Sequence, residues 1–161
     1  MKKITHIIQF EEFNNINELS DDEKSLIHKA ENALNNAYAP YSNFKVAAAV
    51  LLDNDEVICG TNQENAAFPS GICAERTALF YAKSTFPKSN IKKLVVVTDK
   101  QLGNNPLTLC GACRQVVSEY EQLQQQKIEI YLKSKESKIW KFGSINDLLP
   151  FSFKANVLLS K

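Results

Sequence analysis

The chain has 161 residues, of which 44% are hydrophobic and 23% charged, a composition typical of one folded domain with a substantial core. Its 19 basic and 18 acidic residues give a net charge of +1, which offers no electrostatic reason to expect a nucleic-acid partner. No secretory signal follows the N-terminal lysines, and the longest apolar run, residues 46–52, is far too short to cross a membrane. We therefore expect a cytoplasmic protein without a membrane or nucleic-acid partner, whose four cysteines are reduced.

Hydrophobic periodicity divides the chain into helices and strands. Ser20 followed by Glu23 is typical of a capping box that starts a helix, and Pro40 disfavours helical backbone at the residue before it. The predicted order is a strand over residues 4–10, a helix over 20–39, a hairpin of strands over 44–52 and 57–62, a helix over 73–86, a strand over 93–98, a helix over 111–124, and short strands over 128–132 and 138–142. This order favours a mixed α/β sheet with helices on its faces.

Two short segments carry the residue types of a zinc site. Cys73 and Glu75 are two residues apart at the predicted start of one helix, and Cys110 and Cys113 form a Cys-x-x-Cys pair at the start of another. Three thiolates can bind Zn²⁺ and leave its fourth tetrahedral position to water. Glu75 is close enough to reach that water without being a ligand, which is the arrangement that hydrolytic deamination requires.

Two other interpretations use some of these residues. A thioredoxin-like redox pair would involve Cys110 and Cys113 but would give no role to Cys73 or Glu75. A structural zinc site would need Cys59 as its fourth ligand. Cys59 lies in an apolar strand, where a free cysteine is more often a small buried core residue than a ligand.

The charged neighbours of these cysteines have alternative explanations. A glutamate in the first turn of a helix is favoured by the helix dipole alone, so only the position of Glu75 between Cys73 and Arg76 favours catalysis. Arg76 or Arg114 could offset the negative charge of a three-thiolate zinc site by hydrogen bonding to sulfur. The alternative is that both are ordinary charges on a helix surface, and for Arg114 the sequence favours neither interpretation.

The chain resembles the small homotetrameric cytidine deaminases of pyrimidine salvage over roughly residues 21–155. The resemblance rests on four blocks, residues 39–46 (APYSNFKV), 62–67 (NQENAA), 73–79 (CAERTAL) and 110–115 (CGACRQ). It implies a three-layer α/β/α fold with a mixed, roughly five-stranded sheet, one Zn²⁺ per subunit, and a homotetramer with sites shared between subunits. It also implies a single catalytic domain over residues 21–161, preceded by an N-terminal extension over residues 1–20.

The resemblance assigns roles residue by residue. Cys73, Cys110 and Cys113 would bind zinc, and Glu75 would shuttle protons.

The resemblance also implies substrate contacts. Asn62 and Glu64 would hydrogen-bond the ribose hydroxyls, the alternative being a polar strand end that faces solvent. The other expected contacts are Phe44 against the pyrimidine, Ala74, and Phe153 reaching in from a neighbouring subunit, with Phe151 as its rival.

Three residues depart from the family pattern. Leu109 replaces the usual proline before Cys110, Ala47 replaces a glycine, and Phe68 replaces a tyrosine. We expect these changes to make the loop less rigid, to tighten the packing near the site, and to remove a hydrogen bond across subunits. None of them removes a catalytic group.

The sequence therefore predicts hydrolytic deamination of cytidine and 2′-deoxycytidine to the uridine products and ammonia. Two alternatives remain open. One is a deaminase of another amino-heterocycle, such as a nucleoside antibiotic or a polynucleotide cytosine. The other is a zinc-stabilised module without enzymatic activity.

Overall fold

A computed structural model describes residues 1–101, 103–136, 138–155 and 158, so the last part of the predicted 21–161 domain is described only in part. The helices are α1 (Asp21–Ala33), α2 (Ala74–Thr85) and α3 (Gly111–Gln124). The strands are β1 (Glu11–Phe13), β2 (Val46–Leu52), β3 (Val57–Thr61), β4 (Ile91–Thr98), β5 (Glu129–Ser134) and β6 (Ile139–Phe142). Within the described ranges, no helix has both the length and the apolar character needed to cross a membrane.

The six strands form one mixed sheet in the order β1-β6-β5-β4-β2-β3, in which β4 and β5 are parallel and the other neighbours antiparallel. The predicted α/β class is confirmed, but the prediction of roughly five strands is one strand short. The additional strand is β1. The strand predicted from the alternation in residues 4–10 is wrong in position, because β1 begins at Glu11. Pairing is fixed at Glu12, which lies opposite Trp140 and accepts hydrogen bonds from Trp140 Nε1 (2.9 Å) and Lys138 Nζ.

The direction of the strands brings the starts of α2 and α3 together. Strands β3 and β4 both pair antiparallel with β2, so they run in the same direction and end at the same edge of the sheet. Thr61 at the end of β3 pairs with Ala47, and Thr98 at the end of β4 pairs with Val46. Because α2 follows β3 and α3 follows β4, both helices begin near this edge.

The sheet separates two apolar layers. Alternate residues of β2 are buried on opposite faces: Ala47 and Ala49 pack with residues of α1, and Ala48 and Val50 pack with residues of α2 and α3. The apolar run of β2 is therefore buried on both faces, as its sequence predicts. This arrangement is a three-layer α/β/α fold.

Close packing between β3 and α2 depends on Gly60. A methyl group at this position would lie 2.4 Å from the backbone nitrogen of Ala78 and 2.8 Å from the carbonyl oxygen of Ala74. Both atoms belong to the backbone of α2, so no side-chain rotation could relieve the clash. The absence of a side chain at residue 60 thus sets how closely the start of α2 approaches the sheet.

We expect Gly60→Ala to lower the free energy of unfolding by at least about 2 kcal/mol, because the helix must move away from the strand. The matched control is Gly143→Ala, since a methyl group there would have no atom within 4 Å. Urea unfolding followed by circular dichroism measures both variants. Equal stability of the two variants would contradict the role given to Gly60.

The capping box predicted at the start of α1 is confirmed and belongs to a larger network. Ser20 N donates to Glu23 Oε2 (2.9 Å), and Glu23 N donates to Ser20 Oγ (3.4 Å). The other carboxylate oxygen of Glu23 accepts from the buried Tyr131 hydroxyl (2.5 Å) and from Lys141 Nζ (3.3 Å). Burial acts to raise the pKa of Glu23, but the hydrogen bonds from Tyr131, Ser20 and Lys141 outweigh it and lower the pKa to about 2.

Glu23 should therefore make stability depend on pH in the acidic range. Its folded pKa is depressed, so its contribution is complete above the model-compound value of 4.5 and is lost as the pH falls towards about 2. Glu23→Gln should cost at most about 3 kcal/mol at pH 7, and the difference from wild type should shrink between pH 4.5 and 2.

Thermal unfolding of both proteins across this pH range tests the expectation. Asp21→Asn is the control, because the Asp21 side chain begins the same helix but is 99% exposed. A constant difference between Glu23→Gln and wild type down to pH 2 would show that Glu23 stabilises the fold by something other than its charge.

Candidate metal centre and active site

Three cysteine sulfurs meet where α2 and α3 begin. Cys73 is the N-cap of α2 and Cys110 the N-cap of α3, while Cys113 lies in the first turn of α3. Their Sγ atoms lie within 4.8 Å of one another, and those of Cys73 and Cys110 are 3.9 Å apart. The positive ends of two helix dipoles therefore face the cluster, which favours thiolates.

Three clustered thiols fit a zinc ion by their donor chemistry. Hydrogen bonding with Cys113 lowers the pKa of Cys73 to about 5 against the effect of burial, with Arg76 adding to the lowering. Hydrogen bonding with Cys73, together with burial, raises the pKa of Cys113. The cluster thus favours a thiolate at Cys73, and Zn²⁺ prefers such soft sulfur ligands.

The two arginines near the cysteines have different roles. Arg76 Nη2 donates to Cys73 Sγ (3.9 Å), so Arg76 is placed to offset thiolate charge. Among the described residues, the buried Arg76 Nε has no acceptor. Arg114 instead donates to the carbonyl oxygen of Leu109 (2.8 Å) and to Thr108 Oγ1 (2.7 Å).

Arg114 thereby fixes the loop that precedes Cys110. Leu109 is buried in the core, and its carbonyl oxygen accepts from Arg114. Burial of the Leu109 side chain and the hydrogen bond from the Arg114 guanidinium group hold this backbone in place. A proline at residue 109 would restrict the backbone by its ring instead.

Glu75 is buried beside the cluster. It is the second residue of α2, and only 5% of it is exposed to solvent. Burial raises the pKa of its carboxyl group, and the negative charge of Cys73 adds to this effect. A glutamate placed only to complement the helix dipole would lie at the surface, so the dipole does not account for the burial of Glu75.

A cavity of about 780 Å³ opens next to Cys73. Its size lies within the range that binds small molecules. The described residues that line it are Tyr41, Ser42, Asn62, Gln63, Glu64, Asn65, Ala66, Phe68, Pro69, Gly71, Ile72, Cys73 and Arg76. Polar and apolar groups thus share one cavity with a candidate metal ligand.

Asn62 joins two backbone segments at this cavity. Its Oδ1 accepts from Val46 N (2.9 Å), and its Nδ2 donates to the carbonyl oxygen of Phe44 (2.8 Å). The side chain therefore fixes the entry into β2.

The Glu64 carboxylate is held by the segment before β2. It accepts from Tyr41 N (2.9 Å), Ser42 N (3.3 Å) and the Ser42 hydroxyl. The Ser42 side chain and the Tyr41 amide lower the pKa of Glu64, so the group stays charged. Asn43, with φ of 50°, turns the chain sharply here, in a conformation that asparagine tolerates well.

The other predicted substrate contacts lie apart from the lining of this cavity. Phe44 is half-buried before the start of β2, and Ala74 is fully buried at the first position of α2. Phe153 lies in the C-terminal segment, where 60% of it is exposed, and Phe151 is 89% exposed. In the described part of the single chain, none of these four residues lines the cavity.

Cys59 is not where the sequence analysis expects it. It is exposed on β3, an edge strand, and Cys59 Sγ lies 3.7 Å from the carbonyl oxygen of Lys29. The expectation of a buried core residue is wrong, because an apolar strand sequence does not reveal that β3 has a neighbour on one side only. Within the described residues, the metal-type cluster contains Cys73, Cys110 and Cys113 but not Cys59.

Three residues of structural importance escape the sequence analysis. Gly60 sets the position of α2, Ser42 holds Glu64, and Gln115 holds the backbone of Phe153. A lone glycine within a strand does signal close backbone approach, so Gly60 could have been identified. Nothing local indicates the partners of Ser42 or Gln115, which lie 22 and 38 residues away along the chain.

Comparison with known proteins identifies the family. Residues 20–128 match the family described as "Cytidine and deoxycytidylate deaminase zinc-binding region". The cytidine deaminase of Halalkalibacterium halodurans is 40% identical over 134 residues, which cover 83% of this chain and 96% of that protein. The cytidine deaminase of Mycoplasma pneumoniae is 32% identical, with 80% of this chain and 91% of that protein covered.

Solved structures agree with the sequence comparison. The crystal structure of cytidine deaminase from Burkholderia pseudomallei is similar with a TM-score of 0.71 at 37% identity, covering 84% of this chain and 100% of that chain. The cytidine deaminase of Mycobacterium tuberculosis gives a TM-score of 0.63 at 30% identity, covering 83% of this chain and 98% of that chain. The fold and the three-thiol cluster are those of a zinc-binding deaminase domain, and the chain belongs to the cytidine and deoxycytidylate deaminase family.

We expect removal of one clustered sulfur to abolish stoichiometric zinc binding, because two thiols do not complete the site. The wild type should bind about one zinc ion per chain, and Cys113→Ala should retain far less. Metal analysis after dialysis against a weak chelator measures the loss, and circular dichroism checks the fold.

Cys59→Ser is the matched control for this measurement and should keep its zinc, since Cys59 lies outside the cluster. Loss of zinc from Cys59→Ser would instead indicate a four-cysteine structural site without a position open to water.

Proposed function

We propose that this protein catalyses the hydrolytic deamination of cytidine and 2′-deoxycytidine. The oxygen of water forms a bond to C4 of the pyrimidine, the bond from C4 to the amino nitrogen breaks, and ammonia leaves. The observation that carries the proposal is a buried glutamate beside three clustered thiols, one of which, that of Cys73, lines a nucleoside-sized cavity. The relatives from Halalkalibacterium halodurans and Mycoplasma pneumoniae that this chain matches carry the name cytidine deaminase.

Cys73, Cys110 and Cys113 are the proposed ligands of the zinc ion. Bound zinc supplies an activated water for the attack on C4. Arg76 donates to Cys73 Sγ and so reduces the negative charge that three thiolates place on the site. The two helix N-termini act in the same direction.

Glu75 is the proposed proton carrier. It takes a proton from the attacking water and delivers it to N3 of the ring. It then takes the remaining proton from the new hydroxyl group on C4 and delivers it to the departing amino group, which leaves as ammonia. Its burial excludes bulk water from this transfer. Its position one residue after Ala74 and two after Cys73 keeps the carboxyl group beside the cluster without making it a ligand.

Asn62 and Glu64 are proposed to bind the ribose hydroxyls. An asparagine amide carries two N–H donors and two acceptor lone pairs, so Asn62 retains capacity beyond its bonds to Phe44 and Val46. Glu64 is held as a charged acceptor by Tyr41 and Ser42. Both side chains line the cavity, which supports a role in binding rather than a polar strand end that faces only solvent.

The remaining substrate contacts are proposed from the family resemblance. Phe44 would pack against the pyrimidine, and Ala74 would form part of the wall next to Cys73. Phe153 would be supplied by a neighbouring subunit of a homotetramer, and its exposure in the single chain supports this arrangement.

The reaction is tested by incubating cytidine with zinc-replete protein and following ultraviolet absorbance, with ammonia assayed in parallel. Loss of the cytidine band with an equal amount of ammonia is the expected result. Free cytidine should be converted and single-stranded DNA should not, because a net charge of +1 gives the chain little overall attraction for a polynucleotide. No reaction with cytidine or with other aminated heterocycles would leave a zinc-stabilised module as the function.

Glu75→Gln should keep its zinc and lose activity by a factor of about 10² to 10⁴, because the amide cannot accept and release the proton. Metal analysis and the cytidine assay are made on the same preparation. Glu56→Gln, at an exposed residue of the β2–β3 turn, serves as the control for the charge change. Turnover near the wild-type rate in Glu75→Gln would exclude Glu75 as the proton carrier.

A further inference from the structure

Helix α3 holds the C-terminal segment of the chain along its length. Near the end of the helix, Glu121 accepts from Ser144 Oγ (2.8 Å) and from Ile145 N (3.0 Å). Two turns earlier, Arg114 Nη1 donates to the carbonyl oxygen of Leu148 (2.9 Å). The C-terminal segment therefore runs back along α3 towards the end that carries the cysteines.

The last of these anchors is Gln115, two residues after Cys113. Its Nε2 donates to the carbonyl oxygen of Phe153 (2.7 Å), and Phe153 N donates to its Oε1 (3.2 Å). The side-chain amide thus satisfies both backbone groups of Phe153, as a neighbouring β-strand would. These two hydrogen bonds fix the direction of the Phe153 backbone but do not involve its ring.

The ring of Phe153 is exposed and lies outside the lining of its own chain's cavity. Phe153 is 60% exposed and is not among the described residues that line the cavity beside Cys73. That cavity is open, and Phe68 on its wall is itself largely exposed. Contact between this exposed ring on one copy and the exposed apolar wall on another would bury apolar surface on both.

We propose that Gln115 is a positioning residue, which sets Phe153 for the substrate site of a neighbouring copy of this chain. The inference rests on the proposed function and adds to it the residue that holds the shared ring. Gln115 acts through Phe153 and therefore affects the site of the other subunit, not the site that its own Cys113 helps to form.

A hybrid of two subunit types separates these two sites. The acceptor subunit carries Phe153→Ala and an intact Glu75, so it has a working site but no ring to donate. The donor subunit carries Glu75→Gln and an intact Phe153, so it offers a ring but has no working site. Co-expression with two different affinity tags allows isolation of oligomers that contain both.

The intact donor should lower the KM for cytidine about five- to tenfold relative to the Phe153→Ala protein alone, with little change in kcat per working site. Adding Gln115→Ala to the donor should abolish this rescue, since both hydrogen bonds that fix the Phe153 backbone are lost. Adding Gln115→Ala to the acceptor should change nothing. The control is Gln122→Ala in the donor, because Gln122 lies on the same helix and bonds to Ser118 Oγ.

Three outcomes would overturn the proposal: no rescue by the intact donor, rescue that persists with Gln115→Ala in the donor, or a raised KM only when Gln115→Ala is in the acceptor. A second readout needs no activity. Chymotrypsin should cut after Phe151 and Phe153 faster in Gln115→Ala than in Gln122→Ala. Equal cleavage rates would show that the two hydrogen bonds of Gln115 do not hold the segment. Absence of cytidine turnover in the wild type would contradict the proposed function, while the cleavage rates would still decide whether Gln115 holds Phe153.

Discussion

The site depends on one geometric constraint, which is that two helices must begin at the same place. Sulfurs from the starts of α2 and α3 lie within 4.8 Å only because β3 and β4 run in the same direction on either side of β2. Gly60 lets α2 approach β3 closely, and Arg114 fixes the backbone just before Cys110. The metal centre is therefore a consequence of sheet topology, adjusted by two contacts outside it.

The same constraint explains why a carboxyl group can be buried here. Glu75 follows Cys73 in the first turn of α2, where free backbone N–H groups and the helix dipole favour negative charge. Burial opposes ionisation and raises the pKa of this carboxyl group above that of a surface glutamate. A single short stretch of chain thus supplies the sulfur of Cys73, the proposed proton carrier Glu75 and the guanidinium group of Arg76.

Local signals in the sequence account for much of the fold and for the metal cluster. The starts of α1 and α3 follow from a capping box and from the Cys-x-x-Cys pair, and the structure begins both helices where predicted. Long-range contacts account for the differences. Strand β1 is fixed by Glu12 and by partners more than 120 residues away, which alternation in residues 4–10 cannot reveal. Cys59 is exposed because β3 lies at an edge of the sheet, a property of strand order and not of composition.

Strand β1 also covers an edge of the sheet at which strands of other molecules could pair. Without it, β6 would present the unpaired backbone groups of Ile139 and Trp140 along an open edge, which another strand could join. With it, the outermost strand is only three residues long and carries Glu11 and Glu12, both engaged with lysines of the neighbouring region. A short acidic strand is a poor template for further pairing, so the N-terminal segment guards this edge of the protein against aggregation.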